Sequence, residues 1–387
     1  MSITSRRKWT LVLPVVLLVC LAIQAPGGNG QSVDQQLKPI QEAYKLILDN
    51  YYLPESVDRE ELIKGAIEGM LEELPDDYNA VYSREEYADY RKRQEGNYIG
   101  LGMEIEKSGD HVRVVSVFPD TPASRSGLSS GDIIISVDEK PTSEMTYQEV
   151  FDVLDGKKGT EVQVTVRRPN GKEETVNLTR EKIEITPVEL KLLEGDKIAL
   201  IDINLFNRQT ADDLEKVLAG LKDSDLKGYI IDLRNNSGGW LNSALEVASQ
   251  FVDDGLITKT VGPGGNREYN SRGNKNPNLP LVVLINGGTA SASELVAGAI
   301  RDQGMGILVG RKSFGKGLVQ TTHSVGRGLR VKISSSEYLT PSGEKLNKKG
   351  LSPDIKSDSR NEDLDTAISW IEEQEGRLTP LEEEPNE

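Results

Sequence analysis

Ser291 and Lys316 are the residues whose types and spacing point to nucleophilic chemistry. Ser291 lies in Asn286-Gly-Gly-Thr-Ala-Ser291-Ala-Ser-Glu294, between Leu279-Pro-Leu-Val-Val-Leu-Ile285 and a small or apolar stretch from Ala290 to Arg301. The first run is short and rich in branched residues and predicts a buried strand; the second predicts a helix. Ser291 is therefore expected on a strand-to-helix turn near a helix N-terminus. Unpaired N–H groups and the positive end of the helix dipole stabilise developing negative charge there. A serine hydroxyl needs a base to become a nucleophile. Lys316 stands in Gly310-Arg-Lys-Ser-Phe-Gly-Lys316-Gly-Leu-Val-Gln320, flanked by glycines and followed by an apolar, strand-like run. A Ser–Lys pair obeys the same logic as the Ser-His-Asp triad. To accept a proton the lysine must be neutral, so burial must lower its pKa from about 10.4. Taken singly, Ser291 also reads as a helix cap and Lys316 as a solvated surface charge.

The whole string decides between these readings. It resembles the carboxy-terminal processing, or tail-specific, proteases, whose pattern is a Ser-Ala-Ser-Ala-Ser-Glu-like run followed by Phe-Gly-Lys-Gly-x-x-Gln. The resemblance implies that Ser291 is the nucleophile, Lys316 the general base and Gln320 the residue that orients the base. Thr289 stands where the commoner family string has its first serine, a position other than the nucleophile. A glutamine beside the lysine adds no charge, whereas a carboxylate would favour the ammonium form and oppose the base. No phosphate loop of Walker type is present, so ATP is not expected.

The elements that must position these residues follow along the chain. Of 387 residues, 36% are hydrophobic and 28% charged, which suits a soluble globular protein of two or three domains. The net charge of −16 argues against a nucleic-acid partner, since phosphate binding needs a basic face. Cys20 is the single cysteine and His111 and His323 the two histidines, so neither a disulfide nor a zinc site is expected in the body of the protein, and no cofactor is called for. Arg6-Arg-Lys8 before the apolar run Trp9 to Ala25 reads as an export signal over residues 1–30, either cleaved or kept as a membrane anchor. The expected location is the bacterial periplasm or envelope.

Residues 31–95 read as helical. Ile40, Tyr44, Ile47, Leu48 and Tyr51 follow helical spacing, as do Leu62, Ile63, Ala66, Ile67, Met70 and Leu71, with Asp58 as cap of the second helix. These helices are candidates to pack on the body or on a second copy. The family's Asp-Pro-His-Ser is replaced by Asp76-Asp-Tyr-Asn79. Residues 96–180 switch to short strands and turns: Tyr98-Ile-Gly-Leu-Gly102, Val112 to Phe118, Pro122-Ala-Ser-Arg-Ser-Gly-Leu128, Gly131 to Asp138, a helix over Thr146 to Leu154, and the alternating run Gly159 to Arg167. Together they resemble a PDZ domain in the bacterial permuted arrangement. Such domains add a peptide as a strand to a sheet edge. The resemblance implies that Gly100, Leu101 and Gly102 hold a terminal carboxylate and that Met103 and Ile105 begin the edge strand.

Residues 181–357 are expected to form the protease core with its cap, an α/β unit of crotonase- or ClpP-like type. Leu226 to Leu233 reads as a buried strand ending in Arg234-Asn-Asn-Ser-Gly-Gly239, followed by a helix over Leu241 to Phe251. By resemblance, the N–H groups of Gly238 and Ala292 form the oxyanion hole, with Gly239 the alternative to Gly238. Residues 358–387 read as an acidic tail, mobile from Glu372 onward. The fold class is thus α+β and multidomain: helical segment, PDZ domain and serine protease core. The implied activity is an ATP-independent endopeptidase that recognises polypeptide C-termini and works through an acyl-enzyme. Expected partners are polypeptide substrates, with a second copy or an activating adaptor as further candidates. The rival readings are a Ser291–His323 pair, opposed because His323 lies three positions beyond Gln320 and strand alternation points it to the opposite face; acyl-CoA chemistry, for which Glu294 reads instead as a capping-box partner; and a latent or inactive PDZ scaffold.

Overall fold

In the computed structural model, residues 32–109, 111–195, 197–273 and 279–378 are described. The expected export segment lies outside them. The chain divides into two compact units, residues 1–62 and 63–387.

The described part of the first unit holds α1 (Val33–Asn50) and the start of α2 (Arg59–Glu72). Ser32 and Gln35 form a reciprocal capping box that opens α1. Asp58 Oδ1 accepts from Glu60 and Glu61 N–H, the cap expected of the second helix. None of the residues of α1 is buried, and Leu37, Ile40 and Leu46 of its apolar stripe are exposed.

The second unit takes in the rest of α2 and continues with β1 (Ala80–Tyr82) and α3 (Arg84–Gln94), whose Ser83 and Glu86 form another capping box. Then β2 (Asn97–Gly100) leads into an antiparallel sheet made of β3 (Met103–Ser108), β4 (His111–Val117), β5 (Ile133–Val137), β7 (Glu161–Arg167) and β8 (Glu173–Thr179), with the short β6 (Lys140–Pro141) on β5. Two helices, α4 (Pro122–Arg125) and α5 (Tyr147–Leu154), flank it. Its own apolar core includes Val114, Ile134, Val150, Val164 and Leu178. β3 is an edge strand, as a peptide-adding sheet requires. The chain enters through β2 and leaves through β9 (Glu181–Glu184), and these two pair antiparallel.

Beyond β9 comes a sheet in the order β10 (Val188–Leu193), β11 (Ile198–Ile203), β12 (Gly228–Asp232), β15 (Leu281–Ile285), β16 (Ile307–Gly310) and β19 (Ile355–Lys356), parallel from β11 onward. Strands buried on both faces read as unbroken apolar runs, which is why Leu281–Ile285 was visible in the sequence. One face packs on α6 (Thr210–Gly220), α7 (Leu241–Ala248) and α8 (Ala292–Asp302) through residues such as Leu214, Val247 and Val296. The other face packs on α9 (Arg360–Leu378) through Ala367 and Ile371. A further sheet places β18 (Leu329–Leu339) between β1, β17 (Leu318–Gly326) and β13 (Leu256–Val261), with β14 (Arg267–Asn270) beyond.

Helix α9 departs from the acidic-tail reading of residues 358–387. Leu364, Ala367, Ile368 and Ile371 follow helical spacing and cover the sheet. Asp363 is fully buried and binds Arg234 at 2.9 Å and Arg311 at 3.1 Å. The high share of carboxylates hid a short apolar stripe.

Candidate active site

Ser291 stands between β15 and α8 as the helix's N-cap, at φ 56° and ψ −116°. A non-glycine residue there is strained, and such strain persists only where surrounding contacts over-determine it. Those contacts are present. The Ser291 N–H donates to Glu294 Oε2 at 2.9 Å, the capping-box contact the sequence suggested. Gly238, in the turn after β12, lies so close that a Cβ on it would sit 2.8 Å from the Ala292 nitrogen and 2.9 Å from Ser291 Cβ. Its φ of +106° also favours glycine. Ser291, Ala292 and Gly238 are thus brought together. The Gly238 N–H donates to Asn236 Oδ1 at 2.9 Å, so in this arrangement it is not aimed at an empty oxyanion position.

Glu294 does more than cap. Fully buried, it accepts from Ser313 Oγ at 2.5 Å, from Gly315 N–H at 2.8 Å and from Lys316 N–H at 2.9 Å. One carboxylate therefore ties the serine's turn to the lysine's loop. Burial raises its pKa, and these hydrogen bonds oppose the rise. The glycines around Lys316 are there for close approach: a Cβ on Gly317 would lie 2.4 Å from Asn347 nitrogen. Tyr338 of β18 completes this wall. Its hydroxyl donates to the Lys316 carbonyl at 2.5 Å, and its pKa is driven far up, by burial first.

The side chain of Lys316 is half-buried, and desolvation lowers its pKa, the direction a general base requires. The nearby charge of Lys332 adds to the drop, while Glu104, Glu106 and Glu294 oppose it. Its ammonium nitrogen lies 4.7 Å from the centre of the Tyr78 ring and makes no hydrogen bond to Ser291 or Gln320. Gln320 is held elsewhere, donating to the Leu318 carbonyl at 3.1 Å and to Ser334 Oγ at 3.4 Å. Ser334 in turn bonds Asp76 Oδ1 at 2.8 Å and Asn79 Oδ1 at 2.9 Å. The loop Asp76–Asn79 thus reaches both Lys316 and the partner of Gln320. Its involvement was missed: the stretch departs from the family string and lies far from Ser291 in the chain. From the sheet that carries β3, Glu106 pairs with Arg113 at 2.6 Å, and the Arg113 guanidinium stacks 4.7 Å from the Phe314 ring centre.

His323 is exposed, and its ring nitrogen sits 3.0 Å from Thr321 Oγ1. His111 is exposed at the start of β4. Among the described residues no group of His, Cys, Asp and Glu is arranged to hold a metal ion. The candidate carboxylate loop Gly100–Gly102 is buried, and Gly102 has φ +79° where a Cβ would strike Thr121 at 2.1 Å. Met103 and Ile105 are partly buried on the edge strand, and the Tyr147 hydroxyl donates to the Ile105 carbonyl at 3.1 Å.

Comparisons with known proteins agree with this architecture. Residues 197–357 match peptidase family S41, residues 98–179 a PDZ domain, and residues 22–86 the N-terminal domain of the activating protease CtpB. A probable CtpA-like serine protease of Staphylococcus aureus strain RF122 is 33% identical over 354 residues, covering 90% of this chain and 70% of the relative. Its counterpart in strain MRSA252 is 32% identical over 357 residues, covering 90% and 71%. Among solved structures, a photosystem II D1 C-terminal processing protease superposes with TM-score 0.71 at 31% identity, covering 85% of this chain and 94% of that one.

Proposed function

The chain belongs to peptidase family S41 as a CtpA-like, C-terminal processing serine protease with a PDZ domain, and from that premise we propose its mechanism: Ser291 attacks the scissile carbonyl and neutral Lys316 takes its proton. Gln320 orients the amine, and N–H groups of the Gly238 turn and of Ala292 receive the oxyanion; the Lys316 ammonium gives its proton to the leaving amine as the scissile C–N bond breaks, and water, deprotonated by the same lysine, releases the acyl-enzyme. The observation that carries this reading is the strained Ser291 turn, joined to the Lys316 loop by the buried carboxylate of Glu294. The PDZ domain takes substrates by their C-termini. Arg6-Arg-Lys8 and the apolar run after it support export to the cell envelope. Among the described residues no helix is long and apolar enough to cross a membrane. The unpacked apolar stripe of α1 supports a contact with a second copy or an adaptor.

A second reading, a latent form of the same enzyme, is favoured by one observation: the Lys316 ammonium rests on Tyr78 instead of on Ser291. Chemistry then requires the lysine to leave the ring. The test is ATP-free proteolysis of a loosely folded polypeptide with an apolar C-terminus, alongside labelling of Ser291 by an acylating probe. Cleavage and labelling together support the mechanism. Labelling absent under every condition, with the chain folded, leaves a binding scaffold.

A further inference from the structure

A chain terminus carries a carboxylate, and the groove expected to receive it holds a cation from outside the PDZ domain. The loop's backbone is oriented for an anion. The Leu101 carbonyl accepts from Ala123 N–H at 2.9 Å and the Gly102 carbonyl from Phe118 N–H at 3.0 Å. A trans peptide points its N–H opposite its C=O, so the Gly102 and Met103 N–H groups face away from α4 and Phe118. Between this loop and α5 lies a cavity of about 40 Å³ lined by Tyr98, Leu101, Met103, Phe151, Leu154 and the side chain of Arg93. That is room for little more than one water molecule.

Arg93 belongs to α3, before the first PDZ strand. Its guanidinium carbon lies 4.8 Å from the Tyr98 ring centre and 5.0 Å from that of Phe151, and it pairs with Asp155 at 2.8 Å. One guanidinium nitrogen would be 3.6 Å from a Cβ on Gly100, which puts the charge beside the loop itself. Asp155 lines the same cavity and would repel an incoming carboxylate if Arg93 did not offset it. A guanidinium is always charged and matches a carboxylate with two parallel hydrogen bonds.

We propose that Arg93 is the residue that recognises the free carboxylate of the substrate: its guanidinium transfers from Asp155 to the chain terminus, and its withdrawal from between Tyr98 and Phe151 opens the pocket for the terminal apolar side chain. The C-terminus site is therefore composite, built from the PDZ loop and the preceding helix. This rests on the reading that the PDZ domain binds C-termini.

The test is fluorescence anisotropy with the Ser291→Ala chain and a labelled peptide ending in an apolar residue, as free acid and as amide. The parent is expected to bind the acid more tightly. Arg93→Met keeps the aliphatic stem; it should weaken acid binding by about tenfold or more and leave the amide unchanged, the loss of one charge-assisted contact. Asp155→Asn, which removes the competitor, should strengthen acid binding. An unchanged acid-to-amide ratio in Arg93→Met, or tighter acid binding, would overturn the proposal by making Arg93 a mere occupant. If the parent itself does not distinguish acid from amide, or binds neither, the C-terminus reading fails and Arg93's role falls with it; that outcome is told apart because it appears before any change at Arg93.

Discussion

Ser291 and Lys316 hang from the same buried carboxylate, yet their reactive atoms are held in opposite ways. The serine's turn is fixed by short-range contacts within the parallel-sheet core: Glu294, the abutting Gly238 and the start of α8. The lysine's backbone is fixed as firmly, through Glu294 and Tyr338. Its ammonium, however, meets groups from other regions: the Tyr78 ring, and the charges of Glu104 and Glu106 on the PDZ edge strand. With Ser291 as the proposed nucleophile and Lys316 as the proposed base, the site has a serine that is set and a lysine that can be switched. This arrangement puts the control of proton transfer, and not of nucleophile placement, in the hands of the flanking parts.

The largest effect that tests the contrast is expected on the fixed side. Gly238→Ala places a methyl group against the Ala292 nitrogen and Ser291 Cβ and imposes strain at φ +106°. Peptidase activity should fall by about a hundredfold or more, the scale of displacing a catalytic turn by about 1 Å; near-parent kcat/KM would show that the turn is not held as described. On the switchable side, Tyr78→Leu removes the ring from the ammonium. A cation–π contact is worth about 1 kcal/mol or more, so the rate of Ser291 acylation by a small probe should rise about fivefold; a slower rate would make Tyr78 a supporter of the base.

The pH profile gives a finer test. As the proposed base, Lys316 would act only when neutral, so activity should fall as pH drops through its lowered pKa. Glu106 raises that pKa. In Glu106→Gln the acid limb of kcat/KM should move to lower pH, and the Arg113 charge left without its partner pushes the same way. A shift to higher pH would contradict the assignment. The smallest effect belongs to His323→Ala, an exposed position bonded to Thr321. Activity should stay within about twofold of the parent, and a large loss would revive the Ser–His pairing.

What the sequence revealed follows the same division. The Ser291 turn was legible because an apolar strand, a small-residue turn and a helix are contiguous, and because the family string runs through them. Glu294 was legible as a cap, but not as the acceptor for Ser313, Gly315 and Lys316, since those bonds depend on a loop folding back. Tyr78 and Arg93 were not legible at all. Each lies in the segment before the PDZ domain and reaches its site only through tertiary packing, which no local period encodes. Helix α9 was obscured for a different reason: net charge outweighed the spacing of Leu364, Ala367, Ile368 and Ile371. Asp363 then supplies a buried partner for Arg234, which stands in the same turn region as Gly238.

The pairing of a fixed serine with a lysine base is tested most directly by Lys316→Ala, assayed by peptide cleavage and by acylation of Ser291 after both chains are shown to be folded. Loss of about a thousandfold or more in cleavage is expected, with His323→Ala still active, because removing one member of a catalytic pair disables the other. If Lys316→Ala cuts as fast as the parent, Lys316 is not the base.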